Sequence, residues 1–218
     1  MPFRDSCRMN YDRIGLIALL VVVVITTGVF LWTSTHYQQG SATPDTHVDS
    51  TGHLHVLGLT LGETTLKQAE TILQSKAEVA LYLYPEGHAK QGLKMEAFFP
   101  AIADHTKVVL LLDVDQAKLL AIESRASTPQ QSQNGVVRMA LAARDLSEVY
   151  ATRVESLTLI PSLDVSAENL KARFGEPDSV RHVDEEQVLY RYEAVGLSAM
   201  LGKDVLPMLT FSNPATAR

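Results

Sequence analysis

The chain reads as an α+β protein: one N-terminal transmembrane helix, then a periplasmic domain of two helix-plus-antiparallel-meander units. Three observations predict this. Residues 14–32 form an uncharged apolar run, IGLIALLVVVVITTGVFLW. Beyond residue 52, short segments rich in β-formers alternate with turn residues. Two capped amphipathic helical segments recur 101 residues apart, as a tandem repeat would place them.

The apolar run is 19 residues long. At about 1.5 Å per residue it spans roughly 28 Å, close to the hydrocarbon thickness of a bilayer. It has no polar face, which argues against a buried core helix. The rival reading, a cleaved signal peptide, expects a shorter apolar region and a small-x-small cleavage site, and Thr33–Tyr37 offers no good one. Arg4, Arg8 and Arg13 precede the run, and no Lys or Arg follows until Lys67. This asymmetry predicts a single-pass inner-membrane protein with residues 1–13 cytoplasmic and the bulk of the chain periplasmic. The single Cys7 falls on the reducing side, so no disulfide framework is expected. Residues 33–52 are polar and read as a tether.

The remainder divides into a first α+β unit, 53–127, and a long helix plus second unit, 128–218. Its elements read in order. The segment 53–61, HLHVLGLTL, is strand-like with Gly58 as a bulge. Thr65 opens a helix, with Gln68 completing a capping box. Strands follow at 79–84, 93–99 and 108–114; residues 116–124 are ambiguous. Residues 128–134 are a polar loop. The spacing of Val137, Leu141, Leu146 and Val149 predicts a long helix over 136–154, with a short strand at 157–160. Ser166 opens a further helix closed by Gly175 and Pro177, and strands are expected at 179–183, 187–192, 197–201 and 206–211.

The run Asp164–Pro177 (DVSAENLKARFGEP) resembles the helix-ending signature of the BamE (SmpA/OmlA) family of outer-membrane assembly lipoproteins and of β-lactamase-inhibitor-protein-like domains. Ser166 stands at the family's Thr, Leu170 and Phe174 fill the apolar places, and Gly175-x-Pro177 closes the motif. The resemblance covers about residues 164–211. It implies a fold and a habit of binding proteins or envelope components, not a reaction. In the first copy Gln74 replaces the Gly, and a transmembrane anchor replaces the family's acylated Cys.

The balance of 19 Lys+Arg against 25 Asp+Glu leaves a net charge of −6, which argues against a nucleic-acid partner. No cofactor motif is present: there is no phosphate loop, GxGxxG or HExxH. Three His–acid neighbours, Glu86/His88, Asp104/His105 and His182/Asp184, lack a recognisable nucleophile. The expectation is therefore a non-catalytic protein-binding or scaffolding module with a protein partner in the envelope. The aromatic pairs Tyr82/Tyr84 and Tyr190/Tyr192 recur at matching places, each pair on one face of its strand. They are the candidate interaction surface. Two alternatives stand beside it: an envelope hydrolase or metal-dependent enzyme using a His–acid pair, and a metal-binding segment built from Asp45, His47, Asp49, His53 and His55.

Overall fold

We describe a computed structural model of the chain; the described residues are 46–214 apart from 89, 103, 104 and 133. The architecture is mainly β. Ten strands form one antiparallel sheet, and three shorter ones form a small second sheet.

The small sheet comprises β1 (His47–Val48), β2 (Leu54–Val56) and β3 (Leu59–Thr60). The expected single strand over 53–61 is instead a hairpin. Leu57 (φ 54°) and Gly58 (φ 76°) both adopt positive φ, as a two-residue hairpin turn requires. Leu54, Val56, Leu59 and Leu61 enter the core fully buried. Asn213 fastens this hairpin to the large sheet: its Oδ1 accepts from the Leu54 N–H (2.8 Å) and its Nδ2 donates to the Leu61 carbonyl (3.1 Å).

Helix α1 (Leu66–Ile72) begins at Thr65, whose hydroxyl accepts from the Gln68 N–H while the Gln68 side chain accepts from the Thr65 N–H. Strands β4 (Glu78–Tyr84), β5 (Gly92–Phe99) and β6 (Lys107–Leu112) follow as a meander. Helix α2 (Gln116–Glu123) settles the ambiguous segment; Asp115 caps it by accepting from the Lys118 N–H at 2.9 Å. The short β7 (Gln130–Gln131) precedes β8 (Val137–Ala140) and α3 (Ala143–Val149).

The long helix expected over 136–154 is therefore not formed. Val137 and Met139 pair with Leu83 and Leu81 of β4, so sheet pairing overrides the helical spacing. Strand β9 (Val154–Ile160) leads to α4 (Ala167–Phe174), and β10 (Ser179–His182), β11 (Gln187–Tyr192), β12 (Leu197–Gly202) and β13 (Met208–Ser212) complete the chain. Ser166 caps α4 through the Asn169 N–H, and Gly175 takes the positive φ of 85° at its end.

The strand order β10-β11-β12-β13-β9-β6-β5-β4-β8-β7 corrects the expected fold class. The two helix-plus-meander units do not form separate sheets: β9 pairs with β6 on one side and β13 on the other, joining both halves. The expected transmembrane segment, 14–32, lies outside the described residues. Among the described residues, no helix is long and apolar enough to cross a membrane.

Register separates the sheet's faces, because successive side chains point to opposite sides. One row runs Val79–Ala97–Leu110–Leu157–Phe211–Leu197–Tyr192 across seven strands. All of these but Val79 are buried, and they form one core with Leu66, Leu119, Ile122 and the β2–β3 leucines. The α-helices and the small hairpin thus cover this face.

One ion pair ties the covering layer together, and one glycine lets neighbouring strands of the large sheet meet. Arg125, just after α2, forks onto Asp145 of α3, with Nη2 at 2.7 Å from Oδ1 and Nε at 3.3 Å from Oδ2. This hydrogen bonding holds the Asp145 carboxyl below its ordinary pKa. A depressed carboxylate contributes stability above its unfolded pKa, near 3.9, and loses it as pH falls through the lower folded value. The urea midpoint difference between the native chain and Arg125→Met should therefore be present at pH 6 and shrink below about pH 3.9.

Gly196 ends a 3-10 turn with φ 56°, accepting from the Ser212 N–H at 3.0 Å. A Cβ there would run into the Ser212 carbonyl oxygen. Gly196→Ala should cost about 1–3 kcal/mol in urea unfolding, through strain and displacement of β13.

Candidate functional site

The opposite face of the large sheet carries no helix among the described residues. Its row Glu78–Phe98–Val109–Thr158–Thr210–Ser198–Arg191 is polar in the middle, where the Thr158 and Thr210 hydroxyls meet at 3.1 Å. Aromatic and cationic side chains gather at one end. Tyr82, Tyr84 and Phe98 are half-buried there, and the rings of Tyr82 and Tyr84 stack with centroids 6.1 Å apart. His88, in the β4–β5 turn, stacks on Tyr84 at 4.5 Å.

Beneath this surface lies Glu96, buried on the otherwise open face. Its Oε1 accepts from the Tyr84 hydroxyl at 2.9 Å and from Lys90 Nζ at 2.7 Å. Lys90 also lies over the Tyr84 ring, 5.6 Å from its centroid. Burial, and after it the Glu96 charge, pushes the Tyr84 phenol well above the usual tyrosine range. Tyr84 is thus a fixed donor, and the trio anchors the β4–β5 hairpin so that Tyr82 and Tyr84 stand in place.

Tyr82 has a cation directly across each flank: Lys94 on β5 and Arg138 on β8. Arg138 makes a loose pair with exposed Glu78 at 3.9 Å, and Lys94 holds no ion pair among the described residues. Strand positions on this face carry Lys94, Lys107, Arg138, Arg181 and Arg191 against only Glu78 and Glu96. A face richer in cations than carboxylates stands out on a chain of net charge −6.

The second aromatic pair does not join the first. Tyr190 and Tyr192 pair with Ala199 and Leu197 and point to the helix-covered face. Tyr192 is only 2% exposed and packs on Phe174 of α4 at 5.7 Å, so it is core and not surface. The likeness between the two segments hid this, because their shared alternation does not say which side faces the core.

The histidine segment folds into a hydrogen-bonded network. His47 and His55 are paired across β1 and β2, their rings stacked at 4.6 Å. His55 Nε2 meets Asp49 Oδ2 at 3.0 Å and Nδ1 meets the Thr60 hydroxyl at 3.2 Å. Asp49 Oδ1 accepts from Thr51 N–H, Thr51 hydroxyl and His53 N–H. Hydrogen bonds from Thr51 first, then His55, hold this carboxyl far below its ordinary pKa. Asp45 lies outside the described residues. Among the described residues, no group of three or more His, Cys, Asp or Glu side chains is placed to hold a metal ion.

The sequence Asp49–His55–Thr60 has the order of a hydrolytic relay, which residue spacing did not reveal. The nearby donors are already engaged, however: Thr60 N–H with Thr64 Oγ1, and Glu63 and Thr64 N–H with the Thr60 carbonyl. These cannot serve as an oxyanion hole without breaking the turn. Of the other His–acid pairs, Asp104 lies outside the described residues. His182 is on edge strand β10, at the opposite end of the sheet from β4 and β5. His88 and His182 therefore do not share a pocket.

No family model and no curated protein matches the chain. One solved structure is similar: a DUF4309 family protein, YjgB, from Bacillus subtilis subsp. subtilis str. 168. It shares 10% identity and a TM-score of 0.37, over 74% of this chain and 88% of that one. A TM-score this low leaves the two chains too unlike in geometry for one to inform the other.

Proposed function

We propose that this chain is a protein-binding or scaffolding module of the cell envelope, with the uncovered face of its large sheet as the contact surface. The observation that carries this reading is the arrangement at β5–β4–β8. Half-buried Tyr82, Tyr84 and Phe98 lie side by side with Lys94 and Arg138 on a face that no helix covers among the described residues. Tyrosine and arginine are the residues most enriched where proteins bind one another. Each offers apolar area together with a hydrogen-bonding end.

The Ser166–Pro177 signature, with its resemblance to BamE-like domains, supports the same class of function. An inner-membrane location with the folded domain on the periplasmic side is supported by the run at 14–32 and by Arg4, Arg8 and Arg13 before it. Holding a module at a membrane raises its effective concentration for partners in that membrane.

The test is photocrosslinking in intact cells, with the photoreactive residue at position 82 and, as control, at exposed Lys67 of α1. A discrete adduct from position 82 and none from position 67 is expected. Equal capture from both, or none from 82 in correctly folded protein, would refute the reading.

A further inference from the structure

The two ends of the large sheet meet solvent differently. At one end β7 has only two residues, Gln130 and Gln131, and follows Pro129. At the other, β10 pairs with β11 over Ser179–His182 without a register shift, and all four of its residues are exposed. Edge strands are ordinarily blunted by Pro, Lys, a bulge or a covering element. The stretch Ser179–His182 has none of these among the described residues.

The phase of the ladder fixes which groups β10 offers. The Val183 N–H donates to the Gln187 carbonyl at 2.9 Å. In an antiparallel pair such bonded positions recur at every second residue, so Arg181 and Ser179 also turn their N–H and C=O toward β11. Val180 and His182 therefore turn theirs outward, to the open edge. The Val180 side chain is an apolar group left 51% exposed there.

This edge is complementary to itself in one register. Outward residues must meet outward residues, so a two-fold antiparallel pairing centres on Val180, Arg181 or His182. Centring on Arg181 sets Arg181 against Arg181 and Asp178 against Asp184, like charge against like. Centring on His182 sets His182 against itself and Val180 against Asp184. Centring on Val180 sets Val180 against Val180, Arg181 against Ser179, His182 against Asp178 and Val183 against Pro177. Apolar then meets apolar, and an imidazole meets a carboxylate on both sides of the axis. Asp178 is held for this by its Oδ2, which accepts from the Glu193 N–H at 2.6 Å. A carboxylate accepts at both oxygens, so Oδ1 can take the imidazole N–H.

On these grounds we propose that β10 pairs with β10 of a second copy of this chain, antiparallel and centred on Val180, joining two large sheets edge to edge. The contact uses the sheet's edge and leaves its open face free, so it stands or falls independently of the protein-binding reading above.

The test is sedimentation of the full-length chain in detergent micelles, with disulfide mapping in a Cys7→Ser background. A dimer is expected. Val180→Pro removes one outward N–H from each copy without touching the bonds to β11, and it should weaken the dimer at least tenfold. His182→Asp sets carboxylate against carboxylate twice and should weaken it at least threefold. An unchanged thermal transition confirms folding, and if Val180→Pro fails that check, exposed His182→Asp decides alone. Under oxidation Val180→Cys should crosslink to itself, since paired Cα atoms there stand about 5.5 Å apart. Ser179→Cys and Arg181→Cys should each fail alone, as diagonal neighbours about 7–8 Å apart, and crosslink when the two variants are mixed.

A chain that stays monomeric at about 0.1 mM, which excludes a dimer of useful affinity, would overturn the proposal. So would a dimer that both substitutions leave unchanged, which would place the contact elsewhere in the chain. Self-crosslinking of Arg181→Cys in place of Val180→Cys would overturn it as well, by fixing the other register.

Discussion

Phe211→Ala should destabilise the chain by about 3–5 kcal/mol, the range for emptying a fully buried aromatic site. Phe211 is 0% exposed and lies on the covered face between Leu157 of β9 and Leu197 of β12. This is the seam between the two halves, so removing the ring opens a cavity that neither half can close alone. Met208→Ala, three residues earlier on the same strand, is the contrast. Met208 points to the other face and is 40% exposed, so its truncation should cost below about 1 kcal/mol. Urea unfolding followed by tryptophan-independent circular dichroism measures both. A single cooperative transition is also expected, since one sheet spans both halves. Two resolved transitions, or equal costs for the two variants, would mean that the strand register or the joined sheet is wrong.

Lys90→Met should cost about 2–3 kcal/mol, because it leaves the Glu96 carboxylate buried with only the Tyr84 hydroxyl as a named partner. Lys90 is 35% exposed at its side chain, which places the figure below that for a fully buried pair. The double variant Lys90→Met/Glu96→Leu should recover to within about 1 kcal/mol of the native chain, since an apolar pair needs no hydrogen bonds there. A double-mutant cycle by urea unfolding reads the coupling directly. Additive costs would show that Lys90 and Glu96 do not act as a pair. The cycle also bears on function: if the pair fixes the hairpin, Lys90→Met weakens binding at Tyr82 without touching the ligand.

Much of the local structure was legible. The Thr65/Gln68 capping box and the Ser166–Gly175 start and stop depend on hydrogen bonds within a few residues, and they form as read. The strands at β4, β5 and β11 through β13 follow alternation and turn residues that are equally local. Segment 136–154 misled because Val137, Leu141, Leu146 and Val149 recur near helical spacing, while the strand alternation of Val137 and Met139 is too short to stand out until their pairing with β4 is known. The fold class failed for a related reason. The β6–β9 and β9–β13 pairings link segments far apart in the chain, and alternation says nothing about which strands will meet. The candidate surface was half legible. Tyr82 and Tyr84 do lie on the open face, while Tyr192 is core. Lys94 and Arg138 could not be found without register, since they flank Tyr82 only through two cross-strand pairings.

The most direct test of an open binding face is hydroxyl-radical footprinting of the full-length chain, purified and in intact cells. Tyr82 and Phe98 are expected to be modified in the purified protein while Tyr192 is protected, and Tyr82 and Phe98 are expected to become protected in cells. Protection of Tyr82 in the purified chain would show that the chain covers this face itself. Equal modification of Tyr82 in both settings would show that no partner occupies it, and either result contradicts an open binding face on this sheet.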